Sequence, residues 1–571
     1  MSKPKVNPTP VRNIEPKKEA KSSWLPAGTA AATIPMPMVW LGIVALLLYV
    51  RTFGFGFTEL DDTIFIREFH EYNEHLGNLI TSFQRGLFEA TKDPYYRPVF
   101  HDSMILNYQF SKDEIAGYHV VNVLLHISCV LLLYKVFLKL RLNQVAAFLL
   151  ALIYAVHPVI SQAVAWVPGR NDTLLAVFSL PFFIHVINYA EEGKLSSLAW
   201  SVLFLLLAFF TKETAVFVAP VAFVFLVFGL GFGWLSKRNI TLYATWVGCF
   251  VVWYVARAFA TVQNSSLTNV GKMAGDFVHR LPLIIQYLGK IFLPFNLSVF
   301  PIQQDTVYYF GLAAMGILAA LLWFSKDVNW RRVGVGFAVF LLFLLPALLV
   351  PNNLNEQTFE HRLYLPIIGI LIVLSETALF KKLTDRNLIL SVFGVCGLFA
   401  IINLMHQKNF ESPVAFWTQA AETSPNSAYA NMMLGARTEN LQTSYDLFHK
   451  AYRLDSNQKY LNFYYGVMLQ KRDSVLASEP YLLKEKKVSD YYECDFYLAR
   501  VAMMKGDTVG SMNYLKTYLK KDITNPQANT NLLLMYFTTG RLAEAKALAS
   551  QMQINGIAVP PQIQERLNAI K

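Results

Sequence analysis

Charged residues are scarce in this chain of 571 residues. Lys, Arg, Asp and Glu make up 16% of the sequence, and hydrophobic residues make up 54%. Soluble domains carry about 25% charged residues. A soluble globular protein is therefore excluded for most of the chain, which we expect to lie in a membrane. Only the last third is polar and charged throughout.

Cysteines and short catalytic signatures are also few. The four cysteines have neither zinc-ligand spacing nor the spacing of a disulfide framework. The sequence contains no glycine-rich phosphate loop and no nucleophile elbow, so nucleotide-dependent and metal-hydrolase chemistry lack support. The net charge of +11 comes mainly from the ends of apolar runs and from the N-terminal arm. We therefore expect no metal site and no nucleic-acid partner.

Long apolar runs fill residues 34–405, and a helix needs about 20 such residues to cross a bilayer. Eleven runs are candidates: 34–54, 117–138, 144–166, 173–190, 196–211, 214–234, 241–262, 308–325, 333–351, 363–380 and 387–405. A twelfth, 281–299, contains Lys290, Pro294 and Asn296, so we expect a re-entrant or interfacial helix there. The pattern predicts an all-α polytopic membrane domain.

The positive-inside rule orients these spans. The arm 1–33 is rich in Lys and Pro and should be disordered and cytoplasmic. If 281–299 does not cross, the basic loops fall inside, and the first outer loop (55–116) and the tail fall outside. If it crosses, three basic loops face outwards and the tail lies in the cytoplasm.

The tail, 406–571, reads as short amphipathic helices. Leu498 and Leu532, like Gly506 and Gly540, are separated by 34 residues, which is tetratricopeptide spacing. We expect an α-solenoid whose concave face often binds extended peptide in such proteins. A rigid spacer or a dimerisation module is the alternative.

The segment FTELDDTIFI places Asp61 and Asp62 at the start of the first outer loop. Neighbouring carboxylates raise each other's pKa, which suits a general base that accepts a hydroxyl proton. The alternative is a helix N-cap. Asp61 is the leading candidate for the base, with Asp62 supporting it or exchanging roles.

Four more clusters fall on the same predicted side. In DPYYRPV, Arg97 follows Tyr96 and precedes a proline, which suits a guanidinium that grips phosphate or simply a surface turn. In AVHPVISQAVAWVPGRNDTLLAV, Arg170 is a second phosphate candidate or a snorkelling side chain, and Asp172 would orient it or cap the next helix. His157 and its proline should kink the span, and a buried histidine fits it better than catalysis.

The last two clusters lie at turns between apolar runs. Lys212 and Glu213 occur in FFTKETAVF, where an interfacial ion pair is the alternative to donor binding. The segment EQTFEHRLYLP supplies Glu360, His361, Arg362 and Tyr364. We expect Lys212, His361 and Arg362 to contribute to a phosphate site, with Glu213, Glu360 and Tyr364 in support.

Together these segments resemble the transmembrane and tetratricopeptide-repeat O-mannosyltransferase family, of the GT-C class of lipid-sugar-dependent glycosyltransferases. The AVHP…AVAWVPGRNDTLLA stretch is the most specific match. The resemblance covers about residues 35–405 and a repeat tail shorter than is usual in eukaryotic members. It implies a sugar donor on polyprenyl or dolichyl phosphate, an inverting single displacement and Ser or Thr acceptors, and it leaves metal dependence open. The short tail and lysine-rich arm favour a bacterial inner-membrane protein over one of the endoplasmic reticulum.

The sequence therefore favours a glycosyltransferase that moves a mannose-like hexose to protein hydroxyls on the outer face of the membrane. A lipid or glycan acceptor is one alternative. A flippase for lipid-linked substrates is another, although the spans show no convincing internal symmetry. A third alternative is an inactive anchor for the solenoid, which would leave the convergence of outward charges unexplained.

Overall fold

The computed structural model describes residues 34–88, 95–261, 270–350, 357–381 and 386–569, and the predicted arm 1–33 lies outside them. Within those ranges the chain is helical, and its only β-pairing is the isolated bridge between Ile302 and Gln357. The all-α fold class is confirmed.

The helices of the first part of the chain are α1 (Pro37–Tyr49), α2 (Asp61–Thr63), α3 (His70–Glu74), α4 (Asn78–Thr81), α5 (Pro98–Ser111), α6 (Ile115–Lys139), α7 (Gln144–Val156), α8 (Ser161–Ala165), α9 (Arg170–Glu192), α10 (Leu195–Thr211), α11 (Val218–Phe223), α12 (Lys237–Ala260), α13 (Val270–Arg280), α14 (Leu283–Phe292), α15 (Tyr309–Trp323), α16 (Trp330–Leu349), α17 (Pro366–Leu374), α18 (Ala378–Lys381) and α19 (Arg386–Gln407). Those of the tail are α20 (Pro413–Thr423), α21 (Ala428–Arg437), α22 (Leu441–Leu454), α23 (Leu461–Lys471), α24 (Glu479–Ser489), α25 (Glu493–Met504), α26 (Thr508–Leu519), α27 (Pro526–Thr538), α28 (Leu542–Ile554) and α29 (Pro561–Ala569).

Helices long and apolar enough to cross a membrane number six among the described residues, or seven if α7 and α8 form one bent span. The six are Pro37–Gly54, Ile115–Lys139, Val167–Glu192, Lys237–Ala260, Trp330–Leu349 and Arg386–Phe410. Three shorter apolar helices, Leu195–Thr211, Glu213–Gly229 and Tyr309–Trp323, match three further predicted runs. The remaining run, 363–380, is broken after Leu374. Fewer of the predicted runs are full-length spans than the sequence suggested, because several helices end early at polar turns.

The predicted kink at His157 is present, and the helix in the run 281–299 is short. The helix pair Gln144–Val156 and Pro158–Ala165 is bent by 52° at His157, because Pro158 lacks the N–H that would continue the helix. In the run 281–299, α14 has 10 residues. At 1.5 Å per residue it spans about 15 Å, half of the hydrocarbon core.

The tail is a stack of helical hairpins, in which α21 to α28 each pack on the next helix along the chain. Side chains of Ser427, Asn440 and Asn525 accept hydrogen bonds from backbone N–H groups three residues on, which fixes where α21, α22 and α27 begin. Gly506 and Gly540 have φ of 78° and 72°, a left-handed conformation that ends α25 and α27. The repeat predicted from their 34-residue spacing is confirmed as a structural unit.

The first repeat helices pack directly on the membrane domain. One hydrophobic cluster contains Phe55 of the first loop, Trp166, Phe300 and Phe359 of later loops, and Trp417 of α20. The side chains of Ser298 and Thr423 also bond, with their oxygens 2.6 Å apart. The tail therefore forms one wall of the region where these loops meet.

Helices α16 and α17 cross at two glycines. A Cβ on Gly336 would lie 2.6 Å from the carbonyl oxygen of Gly369 and 2.9 Å from the backbone nitrogen of Val373. Such close approach is the usual role of small residues between membrane helices. The crossing matters for the site because α17 follows directly on the turn that carries His361 and Arg362.

We predict that Gly336→Ala lowers the midpoint of thermal unfolding in detergent, because overpacking costs about 1–3 kcal/mol. Gly334 lies two residues away on the same helix, and a Cβ there would meet no atom within 4 Å. Gly334→Ala is therefore the matched control and should leave the midpoint unchanged. Equal midpoints for the two variants would contradict the close crossing.

Candidate active site

One cavity of about 480 Å³ opens where loops of the membrane domain converge. Its charged and titratable lining comes from every cluster that the sequence singled out: Asp61, Arg97, Asp172, Lys212, Glu213, His361 and Arg362, joined by Arg257. Residues more than 100 positions apart in the chain thus share one space. Another part of the lining forms an apolar wall, which includes Phe343, Pro346, Ala347 and Leu349.

The two adjacent carboxylates do different things. Asp62 is buried, and its side chain accepts hydrogen bonds from the backbone N–H groups of Thr58 (2.6 Å), Leu60 (3.1 Å) and Thr63 (3.0 Å). It also accepts one from the Thr58 hydroxyl at 3.0 Å. Asp61 lines the cavity instead. Asp62 therefore holds the turn, while Asp61 is open to a substrate.

Two ion pairs fix the turn between α10 and the following helix. Lys212 Nζ donates to both carboxylate oxygens of Asp172, at 2.7 and 2.8 Å. Arg97 Nε donates to Glu213 Oε2 at 2.9 Å, and the Tyr96 backbone N–H donates to the other oxygen at 2.8 Å. These pairs bind the loop before α5, the start of α9 and the end of α10 to one another.

The turn Glu360–Leu363 is held by a residue that the sequence analysis overlooked. Gln162 Oε1 accepts from the backbone N–H of Glu360 (3.1 Å) and of His361 (3.2 Å) and lies 3.2 Å from His361 Nδ1. Its Nε2 donates to the Val299 carbonyl at 2.9 Å. The same turn presents Arg362, whose buried Nη1 has no hydrogen-bond partner among the described residues.

Two groups that line the cavity have shifted pKa values. Burial and the neighbouring Asp62 raise the pKa of Asp61 to about 6, and Arg97 opposes this rise. Burial, together with Lys212, Arg362 and Arg97, lowers the pKa of His361 well below its usual value. At neutral pH Asp61 is ionised yet close to its titration point, and His361 is uncharged.

Several candidates from the sequence lie outside the cavity. Arg170 is fully buried and donates to Asn122 Oδ1 (2.7 Å), Asn107 Oδ1 (2.8 Å) and the Tyr118 carbonyl (2.9 Å). With its donors used in this way, it ties α5, α6 and α9 together and does not face a phosphate. The structure therefore argues against the donor-binding prediction for Arg170.

The remaining supporting candidates also make internal bonds. His157 Nε2 lies 2.8 Å from the Ile291 carbonyl, and its Nδ1 accepts from the Val159 N–H. The Tyr364 hydroxyl lies 2.8 Å from His126 Nδ1. The Tyr96 hydroxyl donates to the Phe83 carbonyl at 2.9 Å. These three side chains support the walls of the cavity rather than line it.

Glu360 is paired below the cavity. Its Oε1 accepts from Lys290 Nζ at 2.6 Å and from the Ser298 N–H at 2.8 Å. Its Oε2 lies 3.6 Å from His406 Nε2. Because both partners of the pair are buried, this contact joins α14 and α19 to the turn that carries Arg362.

In the described ranges, no three His, Cys, Asp or Glu side chains come close enough together to hold a metal ion. The groups of the cavity that could bind a polar ligand are mainly cationic side chains. Arg97, Lys212, Arg257 and Arg362 face three carboxylates, Asp61, Asp172 and Glu213. The net excess of positive charge suits an anionic ligand.

We predict that Lys290→Met destabilises the protein by about 3–5 kcal/mol, because it leaves the Glu360 carboxylate buried without its partner. The exposed pair Lys194–Glu192 is the matched control. Both pairs are 2.6 Å apart, but their side chains are 1% and 0% exposed in the first and 68% and 45% in the second. Lys194→Met should therefore have little effect on thermal unfolding in detergent. Equal losses in the two variants would contradict this account of the buried pair.

Comparisons with known proteins show what the chain is similar to. A family model described as dolichyl-phosphate-mannose-protein mannosyltransferase matches residues 104–275. A protein O-mannosyl-transferase of Caenorhabditis elegans is 23% identical over 62% of this chain and 52% of its own length. The protein O-mannosyl-transferase TMTC4 of Homo sapiens is 25% identical over 70% of this chain and 64% of its own.

A third relative, the protein O-mannosyl-transferase TMTC1 of Mus musculus, is 32% identical over 25% of this chain and 16% of its own length. The chain thus spans about half to two thirds of the nematode and human relatives. Over parts of its length the chain is therefore similar to proteins named as protein O-mannosyl-transferases, in line with the motifs read from the sequence.

Proposed function

We propose that this protein is an inverting glycosyltransferase that moves mannose from a polyprenyl or dolichyl phosphate to Ser or Thr hydroxyls of proteins. The observation that carries the proposal is the single cavity in which the Asp61 carboxylate faces a set of cations. Transfer of a sugar from a lipid phosphate needs a base for the acceptor hydroxyl and cations for the phosphate, and this cavity contains both. The names of the matched family and of the relatives agree with this substrate class.

In the proposed reaction, Asp61 accepts the proton of the acceptor hydroxyl as its oxygen attacks the anomeric carbon. The bond from that carbon to the phosphate oxygen breaks, and the lipid phosphate leaves with the electron pair. A base with a pKa of about 6 is ionised at neutral pH and can still take up a proton during attack. One displacement of this kind inverts the anomeric centre.

Stabilising the leaving phosphate is the second task. Lys212 and Arg97 are already bonded to Asp172 and Glu213. Arg362 is the leading phosphate ligand, since its Nη1 lacks a partner among the described residues. Cations that bind the phosphate more strongly as its charge develops lower the barrier rather than only the KM.

The apolar wall suits the lipid of the donor. Phe343, Pro346 and Ala347 of α16 and Leu365 and Pro366 at the start of α17 line the cavity beside the charged groups. A polyprenyl chain entering along this wall would place its phosphate at Arg362.

The protein acceptor is proposed to reach Asp61 from the side of the repeat domain, on the outer face of the membrane. This placement rests on the charge bias of the loops and on the packing of α20 against the first loop. The repeat domain is then a candidate to bind acceptor polypeptide. A periplasmic or a lumenal outer face fits the proposal equally well.

The direct test is transfer of radiolabelled mannose from polyprenyl phosphate to a Ser/Thr-rich peptide in detergent. We predict transfer by the wild type and a loss of about 10² to 10⁴ in rate for Asp61→Asn, because the positioned base is removed. The thermal midpoint of Asp61→Asn should equal that of the wild type. Near-normal turnover by the variant would rule out Asp61 as the base. Donor binding without transfer by the wild type would favour a different acceptor or lipid transport.

The pH dependence gives a further prediction. Because the base must be ionised, kcat/KM should fall about tenfold per unit as the pH drops below about 6. Arg97 lowers the pKa of Asp61, so Arg97→Gln should move this acid limb to higher pH. A wild-type profile that is flat from pH 5 to 8 would contradict an Asp61 general base.

A further inference from the structure

Asp61 is the first residue of a short helix, so its position depends on how that helix begins. Helix α2 contains three residues and continues as a π-helix over Ile64–Glu68. Glu59, just before α2, has a φ of 55°, a left-handed conformation that side chains disfavour. The position of Asp61 therefore depends on contacts that hold the turn. Asp62 supplies those from within the turn, to Thr58, Leu60 and Thr63.

The repeat domain holds the same turn from outside. Trp417 of α20 is fully buried, and its Nε1 donates to the Thr58 carbonyl at 3.0 Å. Arg437, the last residue of α21, pairs with Glu59 through Nη2 and Oε2 at 2.7 Å. The Arg437 guanidinium also lies 5.6 Å from the centre of the Trp417 ring, so the two contacts support each other.

A third contact links the turn to the residues around His361. Trp166 Nε1 donates to the Thr58 hydroxyl at 3.2 Å. The Trp166 ring stacks on Phe359 and lies 5.7 Å from the ring of His361. Thr58 thus joins the carboxylate of Asp62, the ring of Trp166 and the ring of Trp417.

We infer that Trp417 and Arg437 are positioning residues of the active site: the first two repeat helices set the turn that aims Asp61 at the acceptor. The inference rests on the proposed role of Asp61 as the base. It makes the repeat domain a structural part of catalysis, beyond any role in binding polypeptide. Neither side chain lines the cavity, so each acts through Thr58 or Glu59.

The first test is Trp417→Phe. This variant keeps an aromatic ring among Phe300, Phe416 and Tyr429 but removes the N–H that donates to the Thr58 carbonyl oxygen. We expect kcat to fall on the order of 10- to 100-fold, because small misplacements of a reacting group have effects of this size. The KM for the lipid-linked sugar should stay at its wild-type value, because Arg97, Lys212 and Arg362 are not in contact with this ring. A merely structural role would lower the amount of folded protein and leave kcat per folded molecule unchanged.

A charge exchange tests the second contact. Arg437→Glu places two carboxylates at the turn and should lower kcat, and Glu59→Arg in the same chain should restore most of the loss. The matched control is Arg541→Gln in the last repeats, where Arg541 pairs with Glu544, three residues further along the chain, at 2.5 Å. This variant should have wild-type kcat and KM.

If Trp417→Phe does not fold, Glu59→Gln serves in its place, because Glu59 is 42% exposed and the glutamine side chain keeps an oxygen that can accept from Arg437. Wild-type kcat in Trp417→Phe or Glu59→Gln, and in Arg437→Glu, would overturn the inference while Asp61→Asn stays inactive. Activity in Asp61→Asn would instead overturn the proposed base. The two failures are therefore distinguishable.

Discussion

Charge among apolar helices has to be paired or hydrogen-bonded, and this requirement organises the described part of the molecule. An unpaired ion in such surroundings is expensive, so cations and carboxylates from distant segments meet. Lys212 meets Asp172, Arg97 meets Glu213, and Lys290 meets Glu360. Each pair fastens a turn between helices, and the turns together surround the cavity. The same pairing leaves Asp61 and Arg362 as the groups with capacity for a ligand.

Thr58 is one of the points at which the membrane domain and the repeat domain meet. Its backbone and side chain contact Asp62, Trp166 and Trp417. Buried aromatic rings around these bonds exclude water and make them more directional. The turn that carries Asp61 is therefore shaped by both domains.

The sequence predicted much of the site because charges stand out in an apolar chain. Asp61, Arg97, Lys212 and Arg362 were found in this way, and the cavity brings them together. Arg170 looked equivalent, but its hydrogen bonds to Asn107 and Asn122, 63 and 48 residues away in the chain, become visible only in three dimensions.

Neutral residues of the site were missed because the sequence analysis relied on charged residues. Gln162, Thr58 and Trp417 carry no charge signal, and the last two are joined across 359 positions of the chain. The apolar runs predicted the fold class well. Helix lengths were harder to predict, since polar turns such as the one after Leu374 end a helix inside an apolar run.

The central claim is that adjacent carboxylates have separate roles, with Asp61 acting on the acceptor and Asp62 holding the turn. The most direct measurement is the rate of mannose transfer per folded molecule, together with the thermal midpoint, for Asp61→Asn and Asp62→Asn side by side. The account predicts a lost rate with an unchanged midpoint for Asp61→Asn, and a lowered midpoint for Asp62→Asn, which removes a buried carboxylate with four hydrogen bonds. Full activity in Asp61→Asn, or a wild-type midpoint with complete loss of activity in Asp62→Asn alone, would contradict it.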